Sequence, residues 1–143
     1  TNAGVKRISG DLVGDESFFQ GPPYGSGWAW DDMNYYYGAE ISALTLNDNT
    51  LQVVARPGVS NGAPCQLTLV PATSYLVLSN RTQTVAAGGK RDLTFYRPIE
   101  QNVVYVSGQM PLDATNYTDD VTMHNPAGLF MAFFREPPRP ASP

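Results

Sequence analysis

The sequence predicts a mainly β fold, an antiparallel sandwich or twisted sheet with one C-terminal helix and an aromatic Gly/Pro-rich loop. Three observations predict it. Thirteen Gly, twelve Pro and eight Tyr in 143 residues favour turns and pleated segments over long helices. Apolar and polar residues alternate over short stretches, as Leu51, Val53 and Ala55 do with Gln52 and Arg56. Such stretches recur at roughly ten-residue spacing with turn signals between them, the rhythm of an all-β domain.

Taken in order, Val5 to Val13 reads as a first strand, interrupted by Gly10 and closed by Gly14-Asp15. From Gly21 to Gly38 runs a loop holding Trp28, Trp30 and the run Tyr35-Tyr36-Tyr37, with room for at most one helical turn. Asn47-Asp48-Asn49 is a tight turn between Leu46 and Leu51; it lacks the glycine and the distal glutamate of a calcium loop. Leu51 to Ala55 and Leu67 to Leu69 form a hairpin across a turn at residues 57–64. Further strands are expected at Ser74 to Ser79, Lys90 to Arg97, Val103 to Ser107 and Tyr117 to Met123, pairing mainly antiparallel, with Leu93 and Phe95 on one face. Asn125 then caps a helix with Pro126 in its first position, running to about Glu136. That helix is apolar on every side before Arg135, which implies burial all round. Pro137, Pro138 and Pro140 stop it, and the tail is expected to be disordered.

Length and charge bound the function. One domain fits in 143 residues, and it is large enough to bury a core without disulfides. A net charge of −4 has the wrong sign for a phosphate-binding surface, so nucleic acid is not an expected partner. No apolar run approaches the roughly 20 residues that span a bilayer. One cysteine, Cys65, and one histidine, His124, make no zinc-ligand set, and neither metal nor cofactor is expected.

Several residue patterns invite chemical readings. Gly58-Val59-Ser60-Asn61-Gly62 spells G-x-S-x-G, but Pro64 and a strand follow where a nucleophile elbow requires a helix, so it reads as a hairpin loop. In Asp31-Asp32 and Asp119-Asp120, neighbours on extended chain point to opposite faces, so neither pair is an acid/base dyad. Asp31 and Asp32 read as a turn or cap beside the tryptophans. Cys65 and His124 are the one possible thiol pair and lack a third orienting group; a buried thiol and a cap histidine are expected instead. Trp28, Trp30, Asp31 and Tyr36 are the candidate ligand contacts, set against a role in filling the core and anchoring the loop.

The order of segments resembles one family. Gly4-Val5-Lys6-Arg7-Ile8-Ser9-Gly10-Asp11-Leu12-Val13-Gly14-Asp15, then Gly27-Trp28-Ala29-Trp30-Asp31-Asp32, Tyr36-Tyr37-Gly38-Ala39 and Ile41-Ser42-Ala43-Leu44-Thr45-Leu46-Asn47-Asp48-Asn49 look like the interior of the D-alanyl-D-alanine carboxypeptidase/endopeptidase family of penicillin-binding proteins, the class C low-molecular-mass enzymes. Asn102 to Gly108 and Asn125 to Phe130 continue the match in the same order. The resemblance implies nested domains, a catalytic domain interrupted by a second domain that is itself interrupted by a β domain. It implies that residues 1–20 are an edge segment of the surrounding domain, 21–124 the β insertion domain, 125–136 a helix of the surrounding domain and 137–143 a tail.

It also implies a bacterial cell-envelope location, periplasmic or extracellular. The implied partners are the catalytic domain of the same parent and peptidoglycan; separately, the spread of Phe130, Met131, Phe133 and Phe134 round the 126–136 helix leaves an apolar patch through which self-association is expected. The family's chemistry needs S-x-x-K, S-x-N and K-T-G. Lys6 and Lys90 are the two lysines; Ala3 and Ala87 stand three residues before them and arginine follows both. No serine has asparagine two positions on, so no catalytic residue of the family maps onto this chain. Two function classes remain: a non-catalytic insertion domain of such an enzyme, or a stand-alone β module binding wall glycan or peptide through Trp28, Trp30 and Tyr35 to Tyr37.

Overall fold

The computed structural model describes Gly4, Arg7 and residues 9–135. Six strands follow in order: β1 Thr50–Arg56, β2 Gln66–Val70, β3 Val77–Val85, β4 Asp92–Tyr96, β5 Val103–Pro111 and β6 Tyr117–Thr122, then helix α1 Pro126–Arg135. They form two three-stranded sheets, β2-β1-β6 and β3-β5-β4. The first is antiparallel throughout, with Val53 opposite Leu69 on one side and Asp119 on the other. In the second, β4 runs antiparallel to β5 but β3 runs parallel to it, Leu78 opposite Val104 and Asn80 opposite Val106. The parallel pair is the exception to the expected antiparallel pairing. Parallel neighbours cannot be joined by a tight hairpin, and here β4 intervenes in the chain and returns on the far side of β5.

Leu51, Val53 and Val121 from the first sheet, Val104 and Val106 from the second, and Leu129 and Phe133 from α1 share one buried cluster. Leu67, Leu69 and Phe95 pack against it from partly buried positions, as their alternation predicts. Ala55, Cys65 and Met110 make a smaller cluster, with Leu93 packed on it. The sheets are also stitched by the β1–β2 loop. Gly58 N donates to Thr84 Oγ1 at 2.7 Å, Cys65 N to Thr82 Oγ1 at 3.0 Å, and Asn80 Nδ2 to the Cys65 carbonyl at 2.7 Å. This explains why β3 extends to Val85, beyond the expected Ser79. Its second half is polar, yet Thr82 and Thr84 are buried because their hydroxyls satisfy backbone groups of that loop.

Three other expectations change. Of the strand read at Val5 to Val13, Val5, Lys6 and Ile8 lie outside the described residues, and residues 9–13 are exposed and form no strand. No described strand pairs with them, and unpaired extended backbone is satisfied by water. At Ser74 to Leu76 the chain turns, the Thr73 hydroxyl accepting from Tyr75 N at 3.0 Å, before β3 begins. The aromatic loop holds two short 3-10 turns, Asp32–Asn34 and Tyr36–Gly38, where at most one was expected.

The turn at Asn47–Asn49 is left-handed, with φ of 51°, 53° and 56°, the conformation that Asn and Asp tolerate best among residues with a side chain. Helix α1 starts as expected: Asn125 Oδ1 accepts from Gly128 N at 2.9 Å, with Pro126 in the first position. Gly128 lies against the Tyr75 ring, where a Cβ would strike the phenol, and that hydroxyl donates to the Asn125 carbonyl at 2.8 Å. Helix α1 is exposed only at its C-terminal end. Pro126, Ala127, Leu129 and Phe133 are buried, while Phe134 is 66% exposed and stacks on Phe130 at 6.4 Å. At about 100° per residue the buried positions spread round the helix, with Met131 beside Gly14 and Leu44 and Gly128 against Tyr75, and exposure is confined to Phe134 and Arg135 in its last turn.

Candidate functional site

The aromatic loop is built from tight turns with glycines at its contacts. Trp28 N donates to the Gly25 carbonyl at 3.3 Å, and the indole lies where a Cβ on Gly25 would be, so Trp28 is a half-buried anchor. Asp32 Oδ2 accepts from Ala29 N at 2.8 Å and Oδ1 from the Tyr37 hydroxyl at 3.3 Å. The loop carboxylate is therefore Asp32, while Asp31 occupies the cap position of the first turn without a side-chain cap bond. Gly38 closes the second turn directly beneath the Asp32 carbonyl, a space no Cβ can enter.

These turns leave Trp30, Asp31 and Tyr35 to Tyr37 exposed. Tyr37 stacks on Tyr35 at 5.6 Å and 13°, and Tyr36 meets Tyr37 edge-on at 5.5 Å. Of the candidate contacts, Trp30, Asp31 and Tyr36 reach solvent, and Trp28 holds the loop from behind. Exposed rings on an anchored loop can stack on a flat ligand at low entropic cost.

The anchors behind the ridge are residues that sequence reasoning did not single out. Arg97, 2% exposed, lies between the first turn, β6 and the β4–β5 loop. Its backbone N donates to Asn34 Oδ1 at 2.7 Å, Nη2 to the Met33 carbonyl at 3.2 Å, Nη1 to the Gln101 carbonyl at 3.1 Å, and Nε and Nη2 to Thr122 Oγ1. Burial draws the pKa of its guanidinium below the ordinary arginine value, with the Glu40 charge acting the other way. Thr122 Oγ1 in turn donates to the Met33 carbonyl, locking the turn onto the sheet.

Glu40, 3% exposed, is the second anchor. Its Oε1 accepts from the Tyr24 hydroxyl at 3.2 Å and lies 2.9 Å from His124 Nδ1; its Oε2 accepts from Asn125 N at 2.9 Å. One carboxylate thus ties the loop to the start of α1. Beside it opens a cleft of about 700 Å³, walled by Phe19, Pro22, Pro23, Ile41, His124 and Pro126 among others. The expected cap histidine is this partner of Glu40, adjacent to the capping Asn125.

Cys65 is buried with its Sγ 3.8 Å from Thr84 Oγ1, and Ser60 is exposed in the β1–β2 loop. Neither makes a hydrogen bond to His124 or to a carboxylate among the described residues. No group of three His, Cys, Asp or Glu side chains that could hold a metal occurs among those residues.

Burial, with the Glu40 charge adding to it, raises the Tyr24 phenol above 10.0; burial does the same for Tyr75, and burial with Asp119 for Tyr117. Unfolded phenols ionise near 10.0, whereas these hold their protons to higher pH when folded. Their contribution is therefore complete below pH 10 and lost as pH rises through the folded values. Thermal melts are expected to be level between pH 8 and 9 and to fall above pH 10; a melting temperature that rises above pH 10 would contradict the assignment.

A family model described as the D-Ala-D-Ala carboxypeptidase 3 (S13) family matches residues 1–137. A D-alanyl-D-alanine carboxypeptidase from an Actinomadura species is 34% identical over 139 residues, covering 94% of this chain and 26% of that protein. The D-alanyl-D-alanine carboxypeptidase DacB from Haemophilus influenzae is 37% identical over 46 residues, 32% of this chain and 10% of that one. The crystal structure of penicillin binding protein 4 from Haemophilus influenzae superposes with a TM-score of 0.62 at 14% identity, over 90% of this chain and 32% of the other, a likeness of fold. The chain spans about a quarter of the length of the Actinomadura relative.

Proposed function

The chain belongs to the D-Ala-D-Ala carboxypeptidase 3 family, and on that premise we propose that it is a non-catalytic β insertion module of a serine D-Ala-D-Ala carboxypeptidase or endopeptidase that remodels peptidoglycan in the bacterial cell envelope. The observation that carries the reading is a combination: the family match runs over residues 1–137, yet S-x-x-K, S-x-N and K-T-G are all missing from the sequence. The absence of a base beside Ser60 or Cys65 among the described residues supports it. No helix among those residues is long and apolar enough to cross a membrane.

The role is structural, and the partner is the catalytic domain of the same parent. Apolar side chains left in water favour this: Val13 and Phe18 on the N-terminal segment are more than three-quarters exposed, and Phe134 projects from α1. Such a surface is costly unless something covers it. In the nested arrangement, residues 1–20 and 125–136 are the edges that meet the surrounding domain, 21–124 is the insertion and 137–143 the tail. Leu129 and Phe133 fill this module's own core, while Phe134 faces outward with the half-buried Phe130 stacked beside it. Pairing of two copies through α1 is the competing use of the same face.

A second reading, a stand-alone module that binds the wall through the aromatic loop, is favoured by the exposure of Trp30 and Tyr36. The reading frame on either side of this sequence separates the two. The module reading expects S-x-x-K upstream and S-x-N with K-T-G downstream; a frame that closes without them leaves the stand-alone module.

A further inference from the structure

The face of the second sheet that points away from the core carries a side-chain array unused by anything above. Three strands contribute one row. Arg81 of β3 holds its guanidinium 4.9 Å from the centre of the Tyr105 ring on β5, and that ring stacks on Tyr96 of β4 at 6.4 Å and 24°. The register places Tyr96 opposite Tyr105, and Arg81 opposite Ser107, which in turn faces Thr94. Beside the row stand Ser79, Thr94, Ser107 and Gln83, and none of these four makes a side-chain hydrogen bond among the described residues. Because β4 is the edge strand, Tyr96 is flanked by another strand's ring on one side only.

We infer that this face binds the glycan strand of peptidoglycan, a β-linked chain of N-acetylated sugars. The ligand class follows from what the face offers. Sugar rings present C–H faces to aromatic rings and ring-edge hydroxyls and acetamido groups to short hydroxyl, amide and guanidinium side chains. The stack of Arg81, Tyr105 and Tyr96 is already ordered, so little side-chain entropy is lost on contact. A polyanion is a poor match, since Arg81 and Asp92 balance on this face in a chain of net charge −4. An apolar protein surface is also a poor match, with large aliphatic side chains confined to Val77 and Val103 at one end of the face and Val85 at the other. The inference rests on the peptidoglycan reading above for the polymer, and it names a different surface from the aromatic loop.

The test is amide-resolved NMR titration of the 143-residue chain with chitotetraose and with peptide-free glycan strands from purified peptidoglycan. Shifts are expected at residues 79–83, 94–96 and 103–109, with affinity falling about tenfold or more in Tyr96→Ser and Tyr105→Ser and unchanged in Trp30→Ser. Should Tyr105→Ser melt early, Tyr96→Ser at the sheet edge and Arg81→Gln carry the comparison. No shift with either probe, shifts confined to residues 28–37, or undiminished binding in the folded tyrosine variants would each overturn the inference. The parent-enzyme reading fails separately, on the flanking reading frame; glycan shifts on this face together with a frame that lacks those motifs on both sides would uphold the inference and sink that reading.

Discussion

Replacing Arg97 with leucine is expected to destabilise the chain by about 3–5 kcal/mol, among the largest losses any single substitution can produce here. The guanidinium satisfies carbonyls of Met33, Pro98 and Gln101 and the Thr122 hydroxyl; the bonds to Met33 and Thr122 are buried, those to Pro98 and Gln101 partly so. Leucine fills part of the volume, takes away the donors to the buried Thr122 oxygen and one of the two to the Met33 carbonyl, and leaves the Pro98 and Gln101 carbonyls to water; an acceptor unpaired where water cannot reach costs about 1–3 kcal/mol. Lysine at the same position keeps the charge but has no planar fork to span the three segments, so Arg97→Lys should recover only part of the loss. Urea melts measure the stability. Tryptophan fluorescence reports the loop, because Trp28 and Trp30 both sit on it. A loss below about 1 kcal/mol for Arg97→Leu would mean that the loop is held by something other than this clamp.

The second large effect separates the two sides of α1. Leu129 is fully buried and Phe133 nearly so, in a cluster shared with both sheets. Leu129→Ala and Phe133→Ala are expected to cost about 2–5 kcal/mol each. Phe134→Ser, on the exposed side, should lie within about 0.5 kcal/mol of the parent and raise solubility. Equal, large losses from both sides would show that the helix is covered all round by its own domain, and the outward face would no longer be available to a surrounding one.

What the sequence made legible was whatever is local. The β1–β2 hairpin, the Asn125 cap and the left-handed turn at Asn47–Asn49 are each written within a few residues. The parallel β3–β5 pair was not legible, because alternation gives the strand and its faces but not the direction of its neighbour. Thr82 and Thr84 lay beyond the strand expected at Ser74 to Ser79, since hydropathy cannot register a hydroxyl buried against backbone. Arg97 and Glu40 escaped notice for a related reason. Arg97 meets Asn34 and Met33 from more than sixty positions away, and Glu40 meets His124 from 84. The sequence offered one hint: each stands in an otherwise apolar or aromatic neighbourhood, Phe95-Tyr96-Arg97-Pro98-Ile99 and Gly38-Ala39-Glu40-Ile41. The candidate contacts divided on folding, with Trp28 turned in as an anchor and Trp30, Asp31 and Tyr36 left outside.

The proposed module is a folded part of a penicillin-binding enzyme without that enzyme's chemistry. Covalent labelling with a fluorescent penicillin, read by intact-protein mass spectrometry after confirming a cooperative melt, addresses it most directly. The expected result is an unmodified mass at saturating reagent, with no release of D-alanine from a peptide ending in D-Ala-D-Ala. Labelling that reaches one mole per mole, at any residue of the folded chain, would contradict the claim.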